Sequence, residues 1–114
     1  QMYLKELKKR AKRFFCERVA HFADLTEVSY GEISVRSQKT LWGSCTRKGN
    51  LSFNCLLLLL PEEIADYVVV HELCHRKRMD HSPLFWKEVE KILPDYKARK
   101  KYLKSEGRKV LARL

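Results

Sequence analysis

The stretch from Tyr67 to Trp86, YVVVHELCHRKRMDHSPLFW, holds three of the chain's four histidines, His71, His75 and His81. The apolar residues 64–70 that lead into it continue the pattern of a buried helix, so the first two histidines lie on a helix that faces the core. Buried imidazoles at this density are typical of a metal site, although a single histidine on a helix is more often a packing or surface residue. The spacing of the three decides between these readings.

His71 and His75 belong to an HExxH sequence, HELCH. On an α-helix, residues four apart lie on one face, about 5–6 Å apart at Cβ, so their imidazoles can converge on a single ion. Glu72 is rotated from that face by about 100° and can reach a water beside the ion without binding the ion itself. The pattern predicts a hydrolytic zinc site in which the metal lowers the pKa of a water and Glu72 is the general base.

A catalytic zinc usually has three protein ligands, and His81 is the predicted third. Were the helix to continue past His75, His81 would lie about 9 Å further along the axis and roughly 240° around it, too far to share the ion. The helix must therefore end before Asp80. Asp80 and Glu88 are the alternative third ligands.

Ser82 and Pro83 independently predict a new helix start, with serine as the N-cap and proline in the first turn. The six-residue gap between the second and third histidine also occurs in the metzincin motif, where a glycine makes the turn. Arg78 stands at that position here, so this chain is not a metzincin and must make the turn in another way.

The rest of the chain predicts an α+β domain. Apolar residues at three- and four-residue intervals indicate an amphipathic helix over residues 3–22. Alternating patterns within residues 32–54 indicate about three short strands, which we expect to form a small antiparallel sheet. The HExxH helix is predicted over residues 61–79, followed by a helix from residue 83 and a strongly basic last helix over residues 95–105. We expect one domain over residues 1–114.

The charge balance is strongly basic, with 24 Lys and Arg against 14 Asp and Glu, a net charge of +10. This balance favours polyanionic partners, but many basic domains carry such charge on solvated faces. The segments KELKKRAKR and KARKKYLKSEGRKVLARL motivate an alternative function: a nucleic-acid-associated zinc domain, or a protease that acts on DNA-bound proteins. Glu72 favours the catalytic interpretation, because a closed structural zinc site does not need a base.

The four cysteines, Cys16, Cys45, Cys55 and Cys74, contain no CxxC pair and are too few for a disulfide scaffold. Free and mostly buried thiols in a reducing compartment are expected, which favours a cytoplasmic protein. Cys74 lies about 60° from His71 around the helix and is predicted to be a packed thiol rather than a ligand. No signal peptide pattern or membrane-length apolar run occurs, so we expect no membrane segment.

Other residues near the motif leave alternatives open. Tyr67 lies one turn before His71 and is either a donor to a developing oxyanion or a buried helix tyrosine, with the second favoured. Asp80 either orients a ligand histidine or ends the helix. Arg36 and Trp42 line a cleft or pack in the sheet. His21 has no predicted role.

Residues 36–103 resemble the YgjP-like metallopeptidases, relatives of the SprT-like and other zincins. The matching pieces, in order, are LWGSC around Trp42, Asn54, Pro61, DYV at residues 66–68, HELCH, His81-Ser82, Phe85-Trp86 and PDY at residues 94–96. This ordered set is far more specific than HExxH alone.

The resemblance implies a minimal zincin fold in which His71, His75 and His81 bind Zn²⁺ and Glu72 is the catalytic base. It implies a zinc metallopeptidase acting on peptides or proteins, which we expect to be a monomer. In zincins the edge of a strand often holds the substrate, here from the sheet of residues 32–54. Family members often carry a β-rich N-terminal part, so we expect the chain to be a C-terminal catalytic fragment of a longer protein.

Overall fold

The computed structural model describes residues 2–113, with the side chain of Met2 left aside, and has the predicted α+β architecture. Its helices and strands follow one another along the chain in this order: α1 Met2–Thr26, β1 Ile33–Arg36, β2 Gly43–Cys45, β3 Leu51–Asn54, a 3₁₀ turn Cys55–Leu59, α2 Glu62–Cys74, α3 Pro83–Ile92, α4 Tyr96–Tyr102, a π-helical turn Leu103–Gly107 and α5 Arg108–Leu111. None of these helices combines the length and apolar character needed to cross a bilayer.

The amphipathic helix α1 packs its apolar stripe onto the sheet and α2. The buried positions recur at three- and four-residue spacing, as predicted: Leu7, Ala11, Phe15, Val19 and Phe22. Phe15 stacks on Phe53 of β3 with ring centroids 4.5 Å apart and nearly parallel planes. Because both rings are fully buried, this stack joins the helix to the sheet at the centre of the core.

The sheet has three strands in the order β1-β3-β2. β2 and β3 are antiparallel, but β1 pairs with β3 in parallel, with Ile33 opposite Leu51 and Arg36 opposite Asn54. The sheet is therefore mixed, and the prediction of an all-antiparallel sheet was wrong. A parallel pair requires a long connection between its strands, and residues 37–50, which include β2, provide it.

Two polar contacts fix α2 and the loop before β2. Arg18 of α1 makes a two-pronged ion pair with Asp66 of α2, at 2.9 and 3.0 Å. The buried Asn54 accepts a hydrogen bond from the Leu56 amide and donates to the carbonyls of Gln38 and Leu41. Asn54 therefore caps the 3₁₀ turn and at the same time holds the loop that leads into β2.

Helix α2 is shorter than predicted. It ends at Cys74 rather than near residue 79, although the predicted end before Asp80 is correct. Arg76 explains this early end, since its guanidinium donates to the carbonyls of Ser29 and Arg47 at 2.9 and 3.0 Å. These bonds hold the chain against the loops beside the sheet. The last basic helix also differs, because it changes to a π-helical turn at Leu103 and continues past Gly107.

Candidate metal centre

The end of α2 and the start of α3 bring three histidines together. The ring centroids of His71 and His75 lie 5.0 Å apart, and His81 lies 5.2 Å from the first and 4.8 Å from the second. One nitrogen from each ring lies within 4.8 Å of the other two. The predicted convergence of His81 on the HExxH pair is therefore present in the fold.

The turn from His75 to Ser82 achieves this convergence without a glycine. His75 Nδ1 lies 2.9 Å from the carbonyl oxygen of Arg78, and the Ser82 amide donates to Asp80 Oδ1 at 3.2 Å. Among residues 2–113, the only non-glycine residue in the left-handed region is Glu27, at φ 58°, so the turn contains none. The chain reverses through side-chain and backbone hydrogen bonds instead of a positive φ, which explains how arginine replaces the metzincin glycine.

Two aromatic side chains of α3, Phe85 and Trp86, pack against the imidazoles. Phe85 lies in the first turn of α3, four residues after His81, and is fully buried. Its ring centroid lies 5.1, 4.4 and 5.1 Å from the ring centroids of His71, His75 and His81. Trp86 contacts His71 and His81 at 5.7 and 6.0 Å. Both residues belong to the matching pieces of the family resemblance, but their contact with the histidines was not predicted. Their position four and five residues after His81 on a predicted helix was the available signal.

Glu72 lies beside this cluster but outside the donor set. Its carboxylate is 3.1 Å from His71 Nδ1, and only 5% of the residue is exposed. The close approach of β2 limits its position, because a Cβ added at Gly43 would lie 3.2 Å from Glu72 Cγ and 3.0 Å from Val68 Cγ1. Gly43 is therefore a point of close approach between the backbone of β2 and the side chains of α2.

The chemistry of the donors fits a divalent ion of borderline softness. Three imidazoles with no lysine or arginine among them match the ligand set of a catalytic zinc site with an open position. Desolvation lowers the pKa of His81, and the neighbouring His71 and His75 lower it further, which favours the neutral imidazole that a metal requires.

The alternative ligands are otherwise engaged. Asp80 accepts the amide of Ser82, and Glu88 pairs with Lys77 and Lys91 at 3.3 and 3.4 Å. Neither belongs to the cluster of donor atoms formed by the histidines among residues 2–113. Asp80 therefore bonds within the turn before α3 and does not end α2, which already ends at Cys74.

The cysteines lie outside the cluster as well. Cys74 and Cys55 are buried, Cys45 is half-buried and Cys16 is exposed, so burial is less general than predicted. Burial, together with a smaller contribution from the charge of Glu88, raises the pKa of the Cys74 thiol to about 12, which keeps it protonated. A packed thiol, rather than a ligand, is the state that its environment favours.

A cleft of about 240 Å³ opens beside the histidines, between β2 and α2. It is lined by His71 and Glu72, by Tyr67 one turn earlier, and by Trp42 and Gly43 from the β2 side. Tyr67 is buried, and its ring meets His71 edge to face at 5.9 Å. Burial raises the pKa of its hydroxyl, which therefore stays protonated. Trp42 lines this cleft and also, together with Arg36, a small neighbouring cavity.

An HExxH helix, a third histidine delivered by a turn and a buried glutamate beside an open cleft define a metal-dependent hydrolase of the zincin class. Comparison with known proteins agrees. The YgjP-like metallopeptidase domain matches residues 2–106, and the chain belongs to this family. The predicted enzyme class, a metallopeptidase, is confirmed.

A solved structure shows the same fold. The metallopeptidase zymogen of Pyrococcus abyssi abylysin superimposes with a TM-score of 0.70 and 27% sequence identity. The match covers 81% of this chain and 95% of that chain. No curated protein sequence matches this chain significantly. The α+β fold class is therefore confirmed by an independent metallopeptidase structure.

Proposed function

We propose that this protein is a zinc-dependent peptidase in which His71, His75 and His81 hold the ion and Glu72 is the general base. The observation that carries the proposal is the convergence of three imidazoles with one buried carboxylate outside the donor set. A structural site closes its coordination with four protein ligands, whereas this cluster contributes three.

Zinc bound there would supply a Lewis acid that activates water and polarises the substrate carbonyl. The chain's own residues supply the rest. Glu72 accepts the proton of the attacking water and passes it to the leaving amine. His75 is fixed by the Arg78 carbonyl, so its ring keeps one orientation throughout. Phe85 excludes water from one side of the imidazoles and strengthens the electrostatics of the site.

The substrate lies along β2 in this proposal. β2 is an edge strand, since it pairs only with β3 among the described residues. Its first residue, Gly43, packs directly against the helix that carries Glu72. An extended peptide that adds to the free edge of β2 would therefore pass the base and the cluster, with backbone hydrogen bonds holding it in register.

The test is cleavage of a fluorescent casein by protein stripped with a chelator and then reconstituted with zinc. Activity should appear only after zinc is restored and should be absent in Glu72→Gln. Glu63→Gln is the matched control, because Glu63 lies on the same helix, is exposed and carries the same charge. Activity that survives in Glu72→Gln, or that is lost equally in Glu63→Gln, contradicts the proposed base.

Two further expectations stay predictions. A cytoplasmic location follows from free thiols, and the four cysteines are unpaired in the structure. From the family resemblance we also expect that this catalytic unit is joined to a further N-terminal part.

A further inference from the structure

Beside the candidate metal centre, on the α4 side, lies a groove of about 420 Å³ that the catalytic proposal does not use. We call it the lysine groove. Its walls are two aromatic rings and four lysines from one helix face: Trp86, Tyr96, Lys97, Lys100, Lys101 and Lys104. The lysines are spaced at three and four residues, so they form a single stripe along α4 and its π-helical continuation.

The groove is continuous with the candidate active site through one side chain. Trp86 contacts the ring of His81 at 6.0 Å and stacks on Tyr96 at 5.3 Å with planes 17° apart. The Lys100 ammonium lies 4.2 Å from the centroid of the same indole. A ligand in the groove therefore lies close to the three-histidine cluster, because Tyr96 stacks on Trp86 and Trp86 contacts His81.

No ion pair within residues 2–113 neutralises the charge of the groove. The ion pairs of the described residues use Lys77, Lys91 and Lys109, but none of the four groove lysines. No acidic side chain lines the groove. Four like charges on one helix face repel one another, so an anionic occupant would relieve an unfavourable interaction.

We propose that the lysine groove binds an acidic segment of the peptide substrate and makes the enzyme prefer scissile bonds close to Asp or Glu. This inference rests on the proposed peptidase function. The stripe from Lys97 to Lys104 is about 10 Å long, the length of about three extended residues. A short acidic run, joined to the segment that lies at the cluster, matches that length.

A peptide fits the groove better than a nucleic acid does. Arginine, the side chain suited to two-pronged phosphate contacts, is missing from its walls. The indole of Trp86 already stacks on Tyr96 and carries Lys100 over its ring, which leaves it poorly available for stacking a base. Lysines on flexible stems instead accommodate carboxylates at varied positions.

The test uses three fluorogenic peptides with one common central sequence, flanked by a run of three Glu, three Gln or three Lys. For the zinc-loaded protein we expect the Glu peptide to have a KM about tenfold below that of the Gln peptide, with similar kcat. The Lys peptide should be the poorest substrate. The preference should shrink as salt rises, because the groove is open to solvent.

The groove variant is Lys97→Gln, Lys100→Gln and Lys104→Gln combined. Its matched control combines Lys5→Gln, Lys8→Gln and Lys9→Gln on α1, which removes the same charge from an exposed surface elsewhere. The groove variant should lose the preference for Glu and keep its activity on the Gln peptide, whereas the control keeps both. No preference in the unmodified protein, or equal loss in both variants, overturns the proposal.

A binding measurement separates this inference from the proposed function. Fluorescence anisotropy of the labelled Glu peptide with zinc-loaded Glu72→Gln protein reports the groove without catalysis. If the groove substitutions weaken this binding about tenfold while the unmodified zinc-loaded protein cleaves no peptide, the groove is supported and the peptidase is contradicted. Cleavage by the unmodified protein, with a Kd for the Glu peptide that the groove substitutions leave unchanged, would support the peptidase and contradict the groove. A DNA oligonucleotide that binds in the groove and that the Glu peptide cannot displace would also overturn the proposal.

Discussion

His75 Nδ1 lies 2.9 Å from the carbonyl oxygen of Arg78, three residues further along the chain. A carbonyl oxygen only accepts, so Nδ1 carries the hydrogen and Nε2 keeps its lone pair for a metal. The same bond stabilises the turn that follows α2. One contact therefore orients the second imidazole of HExxH and helps to bring His81 back towards the first two, although no glycine is present.

Loss of His81 should weaken metal binding far more than it weakens the fold. Even the loss of a partner outside the ligand set lowers metal affinity by about 10–100-fold, so we expect His81→Ala to exceed that range. Competition with a chromophoric zinc chelator measures the effect, with the exposed His21→Ala as the control. Unchanged affinity in His81→Ala, together with a loss in Glu88→Gln, would assign the third ligand to Glu88 instead.

A single methyl group at Gly43 should disturb the base without disturbing the metal. The added Cβ would lie 3.2 Å from Glu72 Cγ and 3.0 Å from Val68 Cγ1, both tighter than ordinary contacts. A displaced base lowers kcat, and we expect a loss of about 10–100-fold in Gly43→Ala with zinc content unchanged. Ser44→Ala, at the next and exposed residue of β2, should retain full activity. Equal activity in the two variants would show that Glu72 tolerates the shift.

The thiols should differ in reactivity according to burial. With its pKa raised to about 12, Cys74 has about one thiolate in ten thousand at pH 8. Iodoacetamide at that pH should label the exposed Cys16 and leave Cys74 unmodified until urea unfolds the protein. Peptide mass spectrometry of the two sites against time gives the rates. Labelling of native Cys74 as fast as Cys16 would mean that this part of α2 opens frequently.

The stack of Phe15 on Phe53 should account for a large share of the stability. Both rings are at most 1% exposed, so Phe53→Ala leaves a cavity between α1 and the sheet. Such truncations cost about 3–5 kcal/mol in the free energy of unfolding. Urea denaturation measures this loss, and Tyr3→Ala, at a residue 64% exposed, should change stability by less than about 0.5 kcal/mol. A loss below about 1 kcal/mol for Phe53→Ala would place the core elsewhere.

The sequence predicted the parts of the site that depend on local spacing. HExxH placed two histidines on one helix face, and Ser82-Pro83 required a break that redirects His81. The parallel pairing of β1 with β3 was not predictable, because alternating burial is the same for either strand direction. The predicted α2 was too long because the end of this helix depends on tertiary contacts. The loops that accept the hydrogen bonds of Arg76 are distant from it in sequence.

The location of the lysine groove also could not be predicted from the sequence. The stripe of lysines is visible in the sequence, and its charge suggested only a polyanionic partner. Its position beside His81 depends on how α4 packs, through Trp86 and Tyr96, against the start of α3. The spacing of residues within one helix does not contain that relationship.

The central claim is that Glu72 acts on a water beside an ion held by three histidines. The most direct measurement determines zinc per chain by native mass spectrometry, and casein cleavage alongside, for the unmodified protein and Glu72→Gln. We predict about one zinc per chain in both, with cleavage lost only in the variant, because the base lies outside the donor set. Absence of zinc from both after reconstitution, or cleavage that persists in Glu72→Gln, would contradict the account.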